Sequence, residues 1–291
     1  MEKPHRAGFV SIIGKPNAGK STLMNRLMGE KLSIITRKAQ TTRHRIMGII
    51  SGEDFQIVYS DTPGILKPEY KLHESMMAFV NTSLEDADVI LLLIELGEKY
   101  DEDIHNRLKN IEVPIILIIN KTDLAVGSQL HDKMEYWKGI LPATEYHSLS
   151  ALTGEGVSEL VDKISQRLPE HPAYFAKDAI SDKPERFFAS EIIREKIFMN
   201  YKKEVPYSTE VEIVDFLEEE DIIRMRAEIY VERKSQKGIL IGKGGAALKK
   251  VGIEARKDLE DFFGKHVHIE TFVKVSENWR KSDESLKKFG Y

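Results

Sequence analysis

One stretch near the start of the sequence restricts the possible folds of this chain more than any other. Residues 14–21 read GKPNAGKS and match the pattern G-x-x-x-x-G-K-[ST]. The apolar segment GFVSIIG precedes the match, and Leu23, Leu27 and Met28 follow it at helical spacing. A strand, a glycine-rich loop and a helix in this order predict a phosphate-binding loop (P-loop) in an α/β domain.

The residue types in this P-loop suit both a phosphate group and a divalent cation. Glycine lets the backbone N–H groups turn toward phosphate oxygens, and the following helix N-terminus adds partial positive charge. We expect Lys20 to reach the β- and γ-phosphates and the Ser21 hydroxyl to bind Mg²⁺. The predicted nucleotide-binding residues of this loop are Gly14, Lys15, Pro16, Asn17, Ala18, Gly19, Lys20, Ser21 and Thr22.

Strand and helix patterns alternate from the P-loop to about residue 170. The most apolar runs, VILLLIEL (89–96) and PIILIIN (114–120), are too short to cross a bilayer and are typical of buried parallel strands. The segment DEDIHNRLKNIE between them predicts a helix. We therefore expect residues 1–172 to form an α/β domain, with a mostly parallel sheet and helices on both faces. The start, MEKPHRAGFV, lacks the apolar run of a signal peptide.

A second motif indicates which nucleotide base is bound. Asn120, Lys121 and Asp123 form N-K-x-D directly after the predicted strand 114–119, where ligands bind in open α/β sheets. An aspartate here can accept hydrogen bonds from the N1–H and 2-amino groups of guanine. Adenine lacks that pair of donors and would leave the carboxylate unsatisfied. The sequence therefore predicts GTP and GDP as ligands.

Two further segments complete the predicted nucleotide site. Asp61, Thr62, Pro63 and Gly64 end the strand QIVYS; Asp61 is placed to hold Mg²⁺, and the Gly64 N–H can contact the γ-phosphate. After the strand TEYHSL, the predicted base-pocket residues are Ser150, Ala151 and Leu152, with the Ala151 N–H directed at the base.

The polar segment TRKAQTTRHR lies between the P-loop and Asp61. Thr41 and Thr42 are both candidates for a switch residue that closes on Mg²⁺ and the γ-phosphate, and the sequence does not choose between them. Arg43 and Arg45 could stabilise charge during hydrolysis, although arginines in surface loops more often have no such role.

The motifs GKPNAGKST, QTTRHR, DTPGI, NKTD and SAL, in this order, resemble those of translation-factor-type GTPases and are most similar to the Era family. The resemblance implies a GTPase in which Lys20, Thr42, Gly64 and Asn17 assist hydrolysis and Ser21, Thr42 and Asp61 hold Mg²⁺. Many GTPases orient the attacking water with a glutamine after Asp-x-x-Gly. Ile65 occupies that position here, as in Era-like GTPases. The resemblance further implies that Asn17 holds K⁺ beside the phosphates.

The stretch PEHPAYFAKDAISDKP (169–184) contains three prolines and mixed polar residues that break the periodicity, so we predict a linker at residues 173–186. The pattern changes after it. Residues 187–291 predict a second domain of order α-β-β-α-α-β, with a β-hairpin turn at LEEED and a charged, solvent-facing terminal helix in ENWRKSDESLKKFGY.

The chain has no cysteine, which excludes disulfides and thiol catalysis. Its net charge of -4 restricts any nucleic-acid site to a local patch.

Such a patch surrounds a second glycine-rich stretch, GILIGKGGAALKK (238–250), which we interpret as a turn. It lacks the Lys-Ser ending that a nucleotide with Mg²⁺ requires. Gly242–Gly245 instead match the GXXG loop with which KH domains clamp single-stranded nucleic acid, and the element order resembles a type II KH domain. The predicted RNA-binding residues are Lys234, Lys237, Ile239, Ile241, Gly242, Lys243, Gly244, Gly245, Lys249 and Lys250, with the two isoleucines on the groove floor.

A GTPase domain followed by a type II KH domain is the arrangement of the Era family. This resemblance implies binding to the 3′ region of 16S ribosomal RNA, assistance in 30S subunit assembly, a cytoplasmic location with peripheral membrane contact, and a monomer. Two alternatives stay open on the sequence. One is a regulatory or membrane-associated GTPase whose second domain binds another RNA, a protein or anionic lipid. The other is an RNA-binding adaptor that holds GTP as a static ligand.

Overall fold

The computed structural model describes residues 4–108 and 110–291. Lys109, near the end of the segment DEDIHNRLKNIE, lies outside the described residues, as does the start of the predicted first domain. The chain divides into two compact units. Unit 1 runs to Ser33 and continues over Thr42–Lys67 and Met76–Asp182, whereas unit 2 contains Ile34–Thr41, Pro68–Ser75 and Lys183–Tyr291.

Unit 1 is built on a six-stranded sheet with the order β2-β3-β1-β4-β5-β6. Its strands are β1 (Arg6–Gly14), β2 (Ile46–Ser51), β3 (Phe55–Asp61), β4 (Val89–Glu95), β5 (Ile115–Asn120) and β6 (Glu145–Ser148). Only β2, which pairs with β3, is antiparallel to its neighbour. The mainly parallel sheet confirms the predicted fold class, and the two most apolar runs form its central strands β4 and β5.

Helices connect these strands in the alternating order that the sequence predicts. They are α1 (Lys20–Met28), α2 (Lys71–Glu85), α3 (Glu102–Leu108), α4 (Gln129–Lys138) and α5 (Val157–Ser165). The side chains of β4 and β5 are almost completely buried, which explains why these strands lack the alternation of a half-exposed sheet. Among the described helices of the whole chain, none has the length and apolar character needed to cross a membrane.

The first part of the predicted linker is an ordered strap on unit 1. The Gln56 side chain accepts hydrogen bonds from the backbone of Tyr174 (2.7 Å) and Phe175 (3.0 Å). Further along, the Ile49 N–H donates to the carbonyl of Ile180 (3.0 Å) beside the edge strand β2. These bonds satisfy backbone groups that a free linker would expose to water. The strap also covers part of the sheet edge.

Unit 2 has the element order predicted for the second domain, α-β-β-α-α-β. After the strap come α6 (Glu185–Asn200), β7 (Glu210–Glu218), β8 (Ile222–Val231), α7 (Lys234–Ile241), α8 (Ala246–Phe263) and β9 (His266–Val275). In the sheet β7-β8-β9, β7 is antiparallel and β9 parallel to β8. Along α8, the side chains of Val251, Ala255 and Leu259 lie on one stripe and are fully buried in the core.

The C-terminal segment contributes to the core of unit 2 more than the sequence indicated. A helix, α9 (Asp283–Lys288), is present, but Trp279 before it is fully buried. The Trp279 indole N–H donates to the carbonyl of Ser208 (2.9 Å), and the Phe289 ring packs edge-on against it. The predicted terminal helix is present and its charged side chains are exposed, but the sequence did not indicate that the buried Trp279 anchors the segment to unit 2.

Helix α6 contains several buried charged side chains. The sequence pattern of the helix does not show which of its charged residues are buried and which are exposed. Arg194 is completely buried and donates two hydrogen bonds to the Glu191 carboxylate (2.6 and 2.5 Å). It also donates to the carbonyl of Thr41 (2.5 Å), a residue of the same unit. These partners pair the buried guanidinium through Nε and Nη2, which offsets part of the cost of burying its charge.

Candidate nucleotide and RNA sites

The predicted nucleotide motifs converge because of the strand order of unit 1. Strands β1, β3, β4, β5 and β6 are parallel, so their carboxyl ends lie at one edge of the sheet. The P-loop follows β1, Asp61 ends β3, N-K-x-D begins at the end of β5, and residues 150–152 follow β6. This edge is where open α/β sheets bind ligands.

The turn from the P-loop into α1 depends on Gly19. Its φ of 98° lies in the left-handed region, and the residue caps the helix N-terminus. A Cβ at this position would lie 2.2 Å from Asn120 Nδ2. Glycine is therefore required both by the backbone conformation and by the close approach of the N-K-x-D motif.

Lys20 is held beneath the P-loop backbone. Its Nζ donates to the carbonyl oxygens of Gly14 (3.1 Å) and Lys15 (2.9 Å). Burial lowers the pKa of Lys20 to about 8, against the opposing influence of Asp61 and Glu98. A phosphate group beside Lys20 would favour the charged form again, so the geometry suits an anionic ligand.

Three oxygen-bearing side chains meet beside the start of α1. The Ser21 hydroxyl donates to Asp61 Oδ2 (2.7 Å) and lies 2.9 Å from Thr42 Oγ1. The Thr41 hydroxyl instead donates to the carbonyl of Lys38 (2.8 Å) and lies 2.6 Å from Thr36 Oγ1. Of the two candidate threonines, the structure brings Thr42 to Ser21 and Asp61.

The Asp61 carboxylate has the environment of a cation ligand. It is completely buried, and burial raises its pKa in spite of the Ser21 hydrogen bond and the nearby Lys20. Within the described part of the chain, Asp61 Oδ1 has no hydrogen-bond partner. A carboxylate and two hydroxyl groups are hard oxygen donors, so these residues fit Mg²⁺.

Asn120 joins three of the predicted motifs through its amide group. Nδ2 donates to the carbonyl of Ala18 in the P-loop (2.8 Å). Oδ1 accepts from the backbone N–H groups of Lys121 (2.8 Å) and Ala151 (3.0 Å). The Ala151 N–H, predicted to face the base, is thus directed at Asn120 in this structure. A base would have to share that donor.

Asp123 presents an exposed carboxylate beyond the end of β5. Its Oδ1 accepts a hydrogen bond from the buried Ser150 hydroxyl (2.5 Å), which fixes the carboxylate relative to the 150–152 loop. Leu152 is two-thirds exposed at 68%. Arg26, which the sequence did not single out, donates to the carbonyl of Ala151 (3.3 Å) and so ties α1 to this loop.

The Asp-x-x-Gly segment lies directly against the P-loop. The Thr62 hydroxyl donates to the carbonyl of Ile12 (2.9 Å), and the Ile65 N–H donates to the carbonyl of Gly14 (3.0 Å). Between them, Gly64 passes close to Pro16, since a Cβ at Gly64 would lie 2.6 Å from the Pro16 nitrogen. Ile65 itself is buried. The position that holds a water-orienting glutamine in many other GTPases is therefore part of the apolar core in this chain. Asn17, the predicted K⁺ ligand, is exposed on the P-loop.

The two arginines after Thr42 are not the surface residues that the loop sequence suggested. Arg43 is fully buried, and Arg45 is 7% exposed. Arg45 lies 2.5 Å from Asp86 Oδ2 and donates from Nε to the Ser60 hydroxyl (3.0 Å). Arg45 therefore has a structural ion pair, and the expectation of an exposed loop was wrong.

Sequence reasoning missed an acidic group beside the P-loop. Lys15 Nζ lies 2.8 Å from Asp101 Oδ2 and 3.8 Å from Glu98 Oε1. Both acids follow β4 in the segment GEKYDED. Their position after an apolar strand could have marked them as candidates. Their closeness to the P-loop was not predictable, because it depends on the pairing of β4 with β1 in the sheet.

In unit 2, the predicted GXXG loop forms a tight turn between α7 and α8. Gly242, Gly244 and Gly245 all have positive φ angles (71°, 59° and 80°). The N-terminus of α8 has no side-chain cap among the described residues and no acid in its first turn. Its free N–H groups and helix dipole therefore favour a phosphate group at this turn.

Exposed cations flank this turn, as predicted. Lys234, Lys243, Lys249 and Lys250 are exposed and Lys237 is half-buried; Lys250 Nζ lies 3.7 Å from Glu254. The stretch GILI, however, is the end of α7 rather than part of a turn. Ile239 is exposed, whereas Ile241 is half-buried and packs against the unit 2 core, and the groove floor stays a prediction for both. Helical periodicity turns the two side chains to different faces.

Unit 1, with a P-loop, Asp-x-x-Gly and N-K-x-D at one sheet edge, defines a guanine-nucleotide-binding P-loop GTPase. A family model described as 50S ribosome-binding GTPase matches residues 9–121, and a KH domain model matches residues 204–280. The chain is 43% identical over 296 residues to a protein named GTPase ERA-like, chloroplastic, from Oryza sativa subsp. japonica, covering 99% of this chain and 70% of that protein. The chain belongs to the Era family of GTPases.

Other relatives and solved structures agree with this assignment. GTPase ERA1, chloroplastic, from Zea mays is also 43% identical, with 99% of this chain and 71% of that protein covered. A crystal structure of Era with MgGDPNP and nucleotides 1506–1542 of 16S ribosomal RNA has a TM-score of 0.92 at 39% identity, with 99% of both chains covered. A variant of Aquifex aeolicus Era bound to GDP·AlF4⁻ has a TM-score of 0.93 at 39% identity, with 98% of this chain and 99% of that chain covered. The predicted GTPase class and the KH domain are confirmed.

Proposed function

We propose that this GTPase is a GTP-dependent switch that binds the 3′ region of 16S ribosomal RNA and assists assembly of the small ribosomal subunit. Residues 1–172 form its GTP-binding domain, residues 187–291 its KH domain, and residues 173–186 the linker. The observation that carries the proposal is the uncapped GXXG turn at Gly242–Gly245 with its exposed lysines. Support comes from the Era structure that contains 16S ribosomal RNA, which is similar over 99% of this chain.

The residues around the P-loop have separate roles in this proposal. Lys20 and the P-loop N–H groups bind phosphate, and Asp123 reads guanine with the 150–152 loop. Ser21, Thr42 and Asp61 would hold Mg²⁺, which supplies positive charge next to the phosphates when it is bound. Gly64 places its N–H toward the γ-phosphate. Because Ile65 cannot orient water, we expect slow intrinsic hydrolysis.

RNA binding tests the proposed function directly. We expect the full chain to bind a synthetic RNA matching the 3′ end of 16S ribosomal RNA about tenfold more tightly than a scrambled RNA of equal length and charge. Affinities would be measured by fluorescence anisotropy at one fixed salt concentration, with GDP and with a non-hydrolysable GTP analogue. Equal affinity for both RNAs would contradict the RNA target, and equal affinity in both nucleotide states would contradict a switch.

Hydrolysis should depend on the monovalent cation if Asn17 holds K⁺ in place of an arginine finger. Asn17 lies on the exposed P-loop in a left-handed conformation (φ 65°) that asparagine tolerates. We expect turnover to be about tenfold faster in K⁺ than in Na⁺, and Asn17→Ala to remove the difference. Phosphate release in matched chloride salts measures both rates. Equal wild-type rates in the two salts would exclude the K⁺ hypothesis.

The place of action follows from the proposed RNA target. We propose that the protein works as a monomer in the cytoplasm, in contact with the small ribosomal subunit. Peripheral contact with the inner face of the cell membrane remains part of the proposal. Sedimentation with anionic vesicles, with and without the RNA, would separate this contact from RNA binding.

A further inference from the structure

A small group of charged side chains connects the P-loop to the loop after β4. Asp101 Oδ2 lies 2.8 Å from Lys15 Nζ, and Glu98 Oε1 lies 3.8 Å from the same nitrogen. Of the three, only Lys15 belongs to the nucleotide-binding motif. All three residues are in unit 1. The family motifs do not account for the two acids.

Asp101 is fixed from two directions. While Oδ2 pairs with Lys15, Oδ1 accepts the backbone N–H of Asp103 (3.0 Å) at the start of α3. The hydrogen bond from Lys15 lowers the pKa of the Asp101 carboxyl group. The carboxylate therefore caps the N-terminus of α3 with one oxygen and pairs with the P-loop lysine through the other.

Glu98 is the buried member of the group, and its side chain is only 6% exposed. Its Oε2 accepts the backbone N–H of Glu95 (3.2 Å), and Lys133 donates to its backbone carbonyl. Burial raises the pKa of Glu98, although the Glu95 hydrogen bond and Lys15 act in the opposite direction. The second acid thus lies beside Lys15, held in the loop after β4 by the Glu95 N–H and Lys133.

The backbone of Lys15 faces the nucleotide site while its side chain faces these acids. The Lys15 carbonyl accepts hydrogen bonds from Lys20 Nζ (2.9 Å) and from the Ala18 N–H (3.3 Å). A displacement of Lys15 would therefore move the carbonyl that positions Lys20. Pre-organisation of such a loop reduces the ordering cost of ligand binding.

We propose that Asp101 is a positioning residue for nucleotide binding, which holds the P-loop through Lys15, with Glu98 as the buried support of the same anchor. Asp101 does not touch the nucleotide in this proposal. It acts by keeping the Lys15 peptide where Lys20 and the phosphate-binding N–H groups require it. The inference rests on the proposed binding of guanine nucleotide at the P-loop. A measurement of the affinity of the wild-type protein for GDP tests that binding separately.

The competing possibility is that Lys15 contacts phosphate directly and that Asp101 competes with the phosphate for Lys15. The two possibilities predict opposite signs for one substitution. Asp101→Asn keeps an oxygen that can cap α3 but removes the charge that pairs with Lys15. If Asp101 anchors the loop, GDP dissociates faster from this variant. If Asp101 competes with phosphate for Lys15, GDP dissociates more slowly.

The experiment measures GDP dissociation by stopped flow with a fluorescent GDP on the full chain. We expect Asp101→Asn and Lys15→Met each to increase the rate about fivefold, and the double variant to show about the same fivefold rather than the product. Lys15→Arg should release GDP more slowly than Lys15→Met, because arginine can still pair with the carboxylate. The Asp101→Asn effect should shrink at about 0.5 M salt, since both partners are about a third exposed.

Asp103→Asn is the matched control, because it removes the charge of an exposed acid from the same turn. Among the described residues, the Asp103 side chain makes no ion pair to the P-loop. Its dissociation rate should equal that of wild type. Slower release from Asp101→Asn, an unchanged rate, or additive effects in the double variant would each overturn the anchor. Absence of GDP binding to the wild type would instead contradict the nucleotide site itself.

Discussion

Asp123→Asn will weaken GTP binding by about a hundredfold or more and will shift the preference toward xanthosine triphosphate. The exposed carboxylate can accept both the N1–H and the 2-amino donors of guanine. An asparagine replaces one acceptor by an NH₂ group, which opposes the 2-amino donor of guanine but matches the 2-oxo acceptor of xanthine. The substitution therefore changes base recognition without removing phosphate binding.

This substitution need not disturb the hydrogen bond between residue 123 and Ser150. Asp123 Oδ1 already accepts the Ser150 hydroxyl (2.5 Å), and an asparagine oxygen can retain that bond. Ser150 is buried, so losing this partner would add an unrelated cost to the folded state. Affinities for GTP, ATP and xanthosine triphosphate should be compared by displacement of a fluorescent nucleotide.

Asp132→Asn, a change of the same type on the surface of α4, is the control and should leave all three affinities unchanged. If Asp123→Asn binds GTP as tightly as wild type and still excludes ATP, Asp123 does not read the base. An equal loss of affinity for all nucleotides would indicate damage to the loop instead of a change in recognition.

The nucleotide motifs were predictable because each one is contiguous and follows a strand. Lys20, Ser21 and Asp123 could each be given a role from local sequence and its context. The bonds between motifs were not predictable in the same way. Asn120 contacts Ala18 and Ala151 because β1, β5 and β6 end at one edge, and the strand order is not contained in any short segment.

The choice between neighbouring threonines shows a second limit. Thr41 and Thr42 have the same side chain, and only the path of the backbone directs one hydroxyl toward Ser21 and the other toward Lys38. Burial of charge is a third limit. Arg45 and Arg194 look like surface residues in the sequence, and their burial depends in part on partners distant along the chain, Asp86 for Arg45 and the Thr41 carbonyl for Arg194.

Gly244→Asp will reduce RNA affinity by about tenfold or more while GTP hydrolysis in the absence of RNA stays at the wild-type rate. The substitution places a negative charge in the turn where a polynucleotide phosphate is expected. The aspartate would repel the RNA phosphate and so oppose the attraction that the exposed lysines and the α8 N-terminus provide. RNA binding would be measured by fluorescence anisotropy and hydrolysis by phosphate release from the same preparation.

Gly244 is a better position for this test than Gly242. A Cβ at Gly242 would lie 2.6 Å from the Ala247 Cβ, so any substitution there would disturb the α7–α8 turn itself. At Gly244 an added Cβ meets no atom of the described residues within 4 Å. Its φ of 59° is in the left-handed region that aspartate and asparagine tolerate better than most residues.

Gly244→Asn separates charge from conformation, because it carries the same backbone cost and nearly the same shape as the aspartate. If the turn binds RNA phosphate, the asparagine variant should retain most of the affinity that the aspartate variant loses. Equal losses in both variants would show that the turn needs glycine for its shape alone. Wild-type affinity in Gly244→Asp would show that RNA does not contact the GXXG turn, and the RNA site would have to lie elsewhere on the chain.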